Sequence, residues 1–383
     1  MIDLGLSAAN MKKLLNLLVN NHRISIKVQV LDLNHNYLSD VSTRLLSGQI
    51  TVDTTAEVTR VLQVELLDPN YSMNIEAESP EEGSLFMDRM IRVVYTVADV
   101  MLTESYDIPV FCGPITKLDR TFAVVTLECS GKEKLANGGF WTAKTYKKGL
   151  TKTAVIRAML RDIAGETKMD IPEVSSAKLP SNLTLSRDKA VWASVKTLTG
   201  GLSRVIFYDG RGVAKMLNPG GSVRYTFTMP GAILTQPQIN YDVESLFNAV
   251  EYTGAKPKGH KNPVRGTAVA PKAHILSPQS LGRNGIPRYL IERVQDDSLR
   301  TNAACKAAAT RRLEKNLLQA VTVTFDALPI PVIEEHDVCA LRTENYSVNF
   351  LASKFVIPLV AGASSSIGYT RNVAPNKQQI RKK

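Results

Sequence analysis

The sequence lacks the features of a membrane-spanning or secreted protein. No apolar run approaches the roughly 20 residues that a membrane-spanning helix needs. The first 21 residues carry their lysines after apolar residues and contain no small-residue cleavage site, so we do not expect a secretory signal. Cys112, Cys129, Cys305 and Cys339 are far apart in apolar stretches, which predicts buried thiols and no disulfide framework. We therefore expect assembly in a reducing cytoplasm.

Catalytic signatures are also missing. The sequence contains no G-x-S-x-G elbow, no H-E-x-x-H helix and no phosphate-binding P-loop. The pair Glu81-Glu82 lies in a loop without the apolar pocket that raises a carboxyl pKa. Four of the five histidines are predicted to be solvated: His22, His35, His260 and His274. We predict a protein that is not an enzyme, with no catalytic residue, no cofactor and no metal ligand.

The positive charge is concentrated in two segments. The formal net charge is +11, and residues 256–272 and 371–383 each carry five basic residues and no acidic one. The rest of the chain therefore has a net charge of only +1. The rest of the chain shows no basic surface interleaved with aromatic residues. A protein that binds single-stranded nucleic acid requires such a surface. We expect the two basic segments to be flexible and suited to contact phosphate or an acidic partner.

The first third of the chain has the pattern of a small antiparallel β-domain. Residues 1–23 contain an amphipathic helix with an apolar stripe. Ile24, Ile26, Val28 and Val30 then alternate with polar residues, which is typical of a half-buried strand. Five or six strands follow one another as far as residue 132. This pattern predicts a small closed barrel or a sandwich over residues 24–132.

A long acidic loop, residues 68–85, interrupts these strands. Its alternating polar residues resemble those of a calcium loop: Asp68, Asn70, Ser72, Asn74 and Glu76. However, Met73 stands where an EF-hand requires glycine, and Ser79 stands at position twelve. We predict a solvated loop, and whether it binds an ion stays open.

Residues 133–245 have a mixed pattern that predicts an inserted α/β domain. A helix begins at Thr151 or Thr153 and stops at Gly165, and a second helix follows within residues 187–201. Asp209-Gly210 is predicted to form the turn of a β-hairpin.

Residues 246–365 return to a β pattern and predict a second β-domain. It begins with the strand NAVEYTG, residues 248–254, and residues 255–287 are predicted to form a long, mobile, basic loop. A later helix repeats apolar residues every four positions, at Cys305, Ala309, Leu313 and Leu317. The strand VTVTF follows, and residues 366–383 form a basic tail.

The order of these segments resembles that of the phage tail hub family, the baseplate hub or minor tail proteins of long-tailed phages. The resemblance runs from about residue 24 to residue 357 and is carried by SGQITVDTTAEVTRVLQVELLDPN, FCGPITKLDRTFAVVTLECSGKEKL, WASVKTLTGGLSRVIFYDGRGV, NAVEYTG, and RRLEKNL before VTVTF. It implies a mixed β-rich α+β fold. Two small antiparallel β-barrels of tail-tube type would lie at 24–132 and 246–365, with the α/β domain inserted between them.

The same resemblance implies a structural virion protein at the tail tip, assembled in the host cytoplasm. Hubs of this family are homotrimers, in which two barrels per chain give a ring of six that continues the tail tube. The implied partners are the tail tube or distal tail protein, the tape measure protein and tail-tip or fibre proteins. Genomic DNA would pass through the channel only transiently. We expect loops 68–85 and 255–287 to make the contacts between subunits.

The segment Glu334-Glu335-His336-Asp337, the acidic corner, places four metal-capable side chains in a row. Neighbouring side chains of an extended backbone point in opposite directions, so the four cannot share one metal ion, and no second cluster in the sequence completes a site. The tail hub family usually has Gly-Asp here. Histidine in place of glycine indicates that the backbone need not adopt a positive φ. We predict a polar structural corner before the strand VCAL.

Two other functions fit parts of the sequence. A receptor- or carbohydrate-binding tail-tip module needs exposed aromatic platforms, but aromatic residues make up only 6% of the chain, and Trp141 and Trp192 lie near segments with a packed pattern. A nucleic-acid-binding protein would use the basic segments, and its binding would be sensitive to salt.

Overall fold

The computed structural model describes residues 1–73, 85–86, 89–187, 190–202, 204–241, 246–257, 259, 261–274, 276–296, 299–319, 321–344, 347–360 and 362–371. The α-helices in these ranges are α1 (Ala8–Leu18), α2 (Glu133–Ala136), α3 (Lys152–Ala164), α4 (Val191–Gly200) and α5 (Asn302–Gln319). A short 3-10 helix spans Ser42–Arg44. No helix within the described ranges is both long and apolar enough to cross a membrane.

The strands follow the chain in three groups. The first group is β1 (His22–Asp32), β2 (Tyr37–Asp40), β3 (Leu45–Asp53), β4 (Arg60–Leu67), β5 (Arg89–Asp99), β6 (Ser105–Thr121) and β7 (Val124–Ser130). The second is β8 (Lys144–Tyr146), β9 (Met169–Asp170), β10 (Leu183–Leu185), β11 (Val205–Tyr208), β12 (Ala214–Leu217), β13 (Tyr225–Thr228) and β14 (Gln238–Tyr241). The third is β15 (Ala249–Thr253), β16 (Arg265–Val269), β17 (Ile291–Gln295), β18 (Val321–Ala327), β19 (Val338–Arg342), β20 (Ser347–Pro358) and β21 (Ser365–Arg371).

Helix α3 shows how local sequence determines an element. The Ala154 N–H donates a hydrogen bond to Oγ1 of Thr151 at 3.2 Å, which satisfies a donor that the first turn leaves free. Gly165 ends the helix in the left-handed region, with φ of 61°. The predicted apolar face is confirmed, since Ile156 and Leu160 are fully buried.

One sheet of 13 strands organises the fold. Its main path runs β14–β18–β21–β20–β3–β4–β7–β6–β5–β1–β2, and β19 pairs with both β20 and β13. The 12-residue strand β20 links the two halves, because its first part pairs with β19 and its last part pairs with β3. Buried side chains from both halves, such as Val28, Val64 and Phe350, belong to a single hydrophobic cluster.

The predicted pair of closed barrels is not confirmed. Within the described residues, strand pairing closes neither half into a ring, and the bonds between β3 and β20 join the halves edge to edge instead. Strands β13 and β14, which lie inside the predicted insertion 133–245, pair with β19 and β18 of the large sheet. The observed fold is β-rich α+β with one large sheet. The boundaries 24–132, 133–245 and 246–365 stay predictions.

A compact α/β unit interrupts the strands of the large sheet. Helices α3 and α4 pack against each other, and α4 also contacts β11 of the three-stranded sheet β11–β12–β9. The unit has its own apolar cluster, which includes Met159, Trp192 and Tyr208. The predicted hairpin is confirmed, with β11 antiparallel to β12 and Asp209-Gly210 in the connection.

Residues 255–287 do not form the mobile loop that their composition predicts. They contain β16, which pairs antiparallel to β15, while β17 pairs parallel to β15 on its other side. Helix α5 packs on this sheet, so the strand NAVEYTG belongs to a separate unit and does not return to the large sheet. Glycine in this segment does not indicate flexibility, because Gly266 allows β16 to pack closely against α5. A Cβ at this position would lie 2.1 Å from the backbone nitrogen of Lys306 in α5.

The predicted basic tail also begins too early. Strand β21 continues to Arg371 and pairs with β18 and β20, and residues 372–383 lie outside the described ranges. The prediction for the cysteines is confirmed, since all four are buried free thiols.

We expect Gly266→Ala to destabilise the protein by about 1–3 kcal/mol, because the added Cβ overlaps the backbone of α5. Gly200→Ala is the matched control. The space around that position is open, so stability should change by less than about 1 kcal/mol. Urea denaturation measures both free energies of unfolding, and equal values for the two variants would contradict the close approach of β16 to α5.

Candidate functional site at the acidic corner

The acidic corner is a tight turn between the crossing that follows β18 and the start of β19. The Glu334 N–H donates to Oδ2 of Asp337 at 2.8 Å, and the His336 N–H donates to the carbonyl of Ala352 at 3.1 Å. His336 has φ of 64°, so the prediction that the backbone avoids a positive φ is wrong. The turn keeps the left-handed conformation that glycine favours, and histidine is among the residues that tolerate it best.

A buried salt bridge joins this corner to strand β4. Arg60 donates from Nε to Oε1 and from Nη2 to Oε2 of Glu335, both at 2.6 Å, and from Nη1 to the carbonyl of Val110 at 2.7 Å. Arg60 and Glu335 are only 2% and 1% exposed. Burial by itself lowers the pKa of Arg60, but the charge and hydrogen bonds of Glu335 raise it above the ordinary value. Arg60 therefore stays charged and binds both oxygens of Glu335 in a two-pronged contact.

A second buried carboxylate connects the α/β unit to the same strand. Thr59, next to Arg60, donates from its hydroxyl to Oε1 of Glu133 at 2.5 Å, and the Tyr208 N–H lies 3.4 Å from the same oxygen. Burial is the main cause that raises the pKa of Glu133, and nearby Glu335 raises it further. The end of β4, helix α2 and strand β11 thus meet around one carboxyl group.

Two cations approach the remaining carboxylates of the corner. Lys215 of β12 donates to Oε2 of Glu334 at 3.0 Å, and the amino group of Met1 forms an ion pair with Asp337. Burial raises the pKa of Glu334, while Lys215 opposes that shift. Burial also lowers the pKa of His336, whose ring lies 5.7 Å from that of Phe207.

The arrangement suits a structural cross-link and not a reaction. Glu334 and Glu335 point to different cations, Lys215 and Arg60, as expected for neighbours on an extended chain. The described residues contain no group of three or more His, Cys, Asp or Glu side chains placed to hold a metal ion. An open cleft of about 590 Å³ beside the corner is lined by threonines together with Lys196, Arg311 and His336.

One histidine was assigned wrongly from the sequence. His35, predicted to be solvated, is half-buried between Cys112 Sγ at 3.7 Å and Lys132 Nζ at 2.9 Å. Burial and the charge of Lys132 lower the pKa of His35 to about 4. Burial also raises the pKa of the Cys112 thiol, so this cysteine–histidine contact does not supply the thiolate that nucleophilic catalysis needs. His260 lies outside the described residues.

The acidic loop 68–85 is described only at its two ends. Asp68 is buried, and its carboxylate accepts hydrogen bonds from Arg44 at 2.8 Å, from Arg120 at 2.7 Å and from the N–H groups of Ser72 and Met73. These donors use the oxygens that a calcium ion would need, so Asp68, the first residue of the calcium-like pattern, is a loop anchor.

The two tryptophans differ in their surroundings. Trp192 is buried and donates from Nε1 to the carbonyl of Glu57 at 3.2 Å, so it helps to fix α4 beside the large sheet. Trp141, which the sequence placed near packed segments, is 92% exposed.

No protein-family model and no curated protein matches the sequence. Among solved structures, the fold is similar to that of a 43 kDa tail protein of prophage MuSo2 from Shewanella oneidensis, with a TM-score of 0.65, 9% identity, and coverage of 91% of this chain and 99% of that chain. A tail protein from Neisseria meningitidis MC58 gives a TM-score of 0.61, 10% identity, and coverage of 92% and 97%. Prophage tail protein gp18 from Listeria monocytogenes EGD-e gives a TM-score of 0.56 and 12% identity, with coverage of 92% of this chain and 97% of that chain.

At these identities the likeness is one of fold. The chain has the fold of phage and prophage tail proteins. The similarity confirms, at the level of the fold, the resemblance to the phage tail hub family that the sequence indicated.

We expect Arg60→Ala to lower the free energy of unfolding by about 3–5 kcal/mol, because it leaves Glu335 buried without its partner. Arg60→Met combined with Glu335→Leu should recover part of this loss, since no unpaired charge then remains. The control is Lys354→Ala, which breaks the pair of exposed Lys354 with partly exposed Asp53, and the change should stay within about 1 kcal/mol. If Arg60→Ala lowered the free energy of unfolding no more than this control does in urea denaturation, the Arg60–Glu335 salt bridge would not stabilise the fold as described.

The raised pKa of Glu133 predicts a specific dependence of stability on pH. The folded protein keeps a proton that the unfolded chain releases, so the Glu133 contribution to stability falls as pH rises through and above the ordinary carboxyl range. Glu133→Gln removes this titration and keeps an oxygen for Thr59. The stability of the variant relative to the wild type should therefore increase from about pH 4 to about pH 7.

Asp53→Asn is a control for which the stability difference from the wild type should change with pH in the opposite direction. Burial opposes ionisation of Asp53, but the hydrogen bonds from Thr55 and the charge of Lys354 lower its pKa. Its contribution to stability is therefore present above the ordinary carboxyl range and is lost on acidification. Urea denaturation across the same pH range should show this variant losing stability relative to the wild type as pH rises. A Glu133→Gln difference that did not change with pH would contradict the assignment.

Proposed function

We propose that the chain is a structural protein of a phage tail, a homotrimeric hub at the tail tip. The observation that carries this proposal is the similarity of fold to tail proteins over 91–92% of this chain and 97–99% of theirs. Because the similarity covers almost the full length of this chain and of each tail protein, it favours a shared architecture over a single shared module. A fold by itself does not define a function, so the internal geometry must also be consistent with a structural role.

The acidic corner is consistent with that role. Its carboxylates are engaged by Arg60 and Lys215, which holds the α/β unit against both halves of the large sheet. A subunit of a tail assembly benefits from such internal cross-links because its interfaces must keep a fixed geometry. That the chain is not an enzyme stays a prediction, supported by the lack of a free, activated side chain at this corner.

In the proposed assembly, three chains surround a channel, and each contributes two β-rich halves. The six halves would correspond to the ring of six barrels implied by the tail hub family, and the ring would continue the tail tube. The tail tube or distal tail protein would contact one side of the ring, and tail-tip or fibre proteins the other. The tape measure protein would meet the channel, through which DNA passes transiently. The chain would thus be located in the virion, at the tail tip.

One observation favours a second candidate, a receptor- or carbohydrate-binding tail-tip module. Trp141 is 92% exposed, and the neighbouring Phe140 ring lies 5.3 Å from Nζ of Lys144. An exposed tryptophan is the kind of platform on which a sugar ring stacks. This candidate predicts polysaccharide binding that is lost in Trp141→Ala, whereas the hub proposal requires no such binding.

The test of the hub proposal is the mass of the purified full chain in solution, by light scattering, alone and with its neighbouring tail proteins. We expect three times the chain mass of 42.0 kDa, at least in the presence of those proteins. A chain that stayed monomeric under both conditions would contradict the proposal. A monomer that bound polysaccharide through Trp141 would favour the second candidate.

A further inference from the structure

The small sheet β16–β15–β17 has one covered and one open face. Val250 and Tyr252 of the central strand point towards α5, where they pack with Ala309 and Leu313. Glu292 of β17 also faces this helix and binds Arg312 at 2.6 Å. The alternate residues therefore form the opposite face, which we call the open face: Ala249, Glu251, Thr253, Arg265, Thr267, Val269, Ile291, Arg293 and Gln295.

The open face has features of an interface. Val269 and Ile291 stand on either side of Ala249 in the strand register, and they are 45% and 41% exposed. An apolar row next to a polar rim on an uncovered sheet is the surface expected where another molecule docks.

The charge of this surface specifies the kind of occupant. Arg265 and Arg293 stand on the open face, 62% and 73% exposed, and share the single carboxylate of Glu251 at 3.6 and 3.4 Å. The chain between β15 and β17 carries further exposed basic residues: Lys256, Lys261, Lys272, Arg283 and Arg288. Residues 255–287 contain no acidic residue. The positive charge is therefore not balanced within the segment, and an acidic occupant fits.

The chain contains one segment of matching chemistry. Residues 74–84, NIEAESPEEGS, carry four glutamates and no basic residue, and they lie outside the described ranges. The structure holds both ends of this segment, because Met73 and Leu85 are buried and Asp68 binds the Met73 N–H at 3.0 Å. An 11-residue segment anchored at both ends can reach about 18 Å from its anchors. It is therefore long enough to cross to a neighbouring molecule.

We propose that the open face of β16–β15–β17 binds residues 74–84 of a second copy of this chain. The glutamates pair with Arg265 and Arg293, and the contact covers the apolar row of Val269 and Ile291. The contact joins two different surfaces, so it repeats head to tail around a ring and closes in a trimer. The inference rests on the proposed trimeric hub and assigns surfaces to its subunit contact.

Charge reversal tests this contact in the full-length chain. The face variant is Arg265→Glu with Arg293→Glu, and the segment variant carries lysine in place of Glu76, Glu78, Glu81 and Glu82. We expect each to weaken trimer formation about tenfold or more at low salt, measured by sedimentation over a concentration series. The chain that combines both changes should assemble more tightly than either single variant, because the reversed positions 265 and 293 then face lysines. Wild-type assembly should also weaken as salt rises.

Two further variants control for folding and for net charge. Arg265→Gln with Arg293→Gln removes the charge without creating repulsion from Glu251, and it should weaken assembly about threefold. Lys178→Glu with Arg187→Glu makes the same change in net charge at exposed positions of the α/β unit, and it should leave assembly unchanged. Unchanged assembly of the face variant, or a combined variant no tighter than the single ones, would overturn the inference.

Mixing identifies the occupant as a second copy. Face-variant and segment-variant chains should associate when combined, although each assembles poorly alone, because reversed charges then meet across chains. A closed ring of three keeps one contact between like variants, so the expected product is a mixed dimer or an open complex. A mixture that stayed monomeric would show that the segment does not bind across chains and would overturn the inference. A wild-type trimer whose variants behave normally would refute only this contact. A wild type that never forms a trimer would refute the hub proposal as well.

Discussion

The fold depends on one buried charge that cannot be left without a partner. Arg60 begins strand β4 and binds Glu335, which lies 275 residues away in the chain. Removing a guanidinium group from water is tolerable only when its donors are satisfied, and here Glu335 and the Val110 carbonyl accept three hydrogen bonds. Because Arg60 sits beside Thr59 and its bond to Glu133, the same contact also positions the α/β unit. The start of β4 therefore contacts three distant parts of the chain, at Glu335, Val110 and Glu133.

This junction is buried inside the molecule, whereas the open face proposed for assembly is exposed. The large sheet and the α/β unit meet around paired charges and buried aromatic rings, with Trp192 donating across the boundary to Glu57. The open face of β16–β15–β17 carries Arg265 and Arg293, and the sequence of residues 74–84 is acidic. A subunit of a ring needs both properties, a fixed internal geometry and two complementary surfaces. The fold is similar to that of tail proteins although the identity is only 9–12%.

Sequence patterns predicted what depends on neighbouring residues and missed what depends on distant ones. Helix α3 with its Thr151 cap, the alternation of β1 and the hairpin β11–β12 follow from local spacing. The burial of Arg60 could have been predicted from the sequence. It lies an even number of positions before the apolar residues Leu62, Val64 and Leu66 of β4, so its side chain points to the same, inward face of the strand. No local pattern shows that β20 pairs with β3, so closed barrels were predicted where one sheet forms. Residues 255–287 seemed mobile because composition cannot distinguish a flexible glycine from one that lets β16 approach α5.

The most direct test of the central claim is the position of this chain in a phage particle. An antibody against the purified protein, carried on gold and imaged on intact virions by electron microscopy, reports that position without assuming an oligomeric state. The account predicts label confined to the end of the tail that lies away from the head. Label along the length of the tail or on the head would contradict a tail-tip hub, whatever the fold.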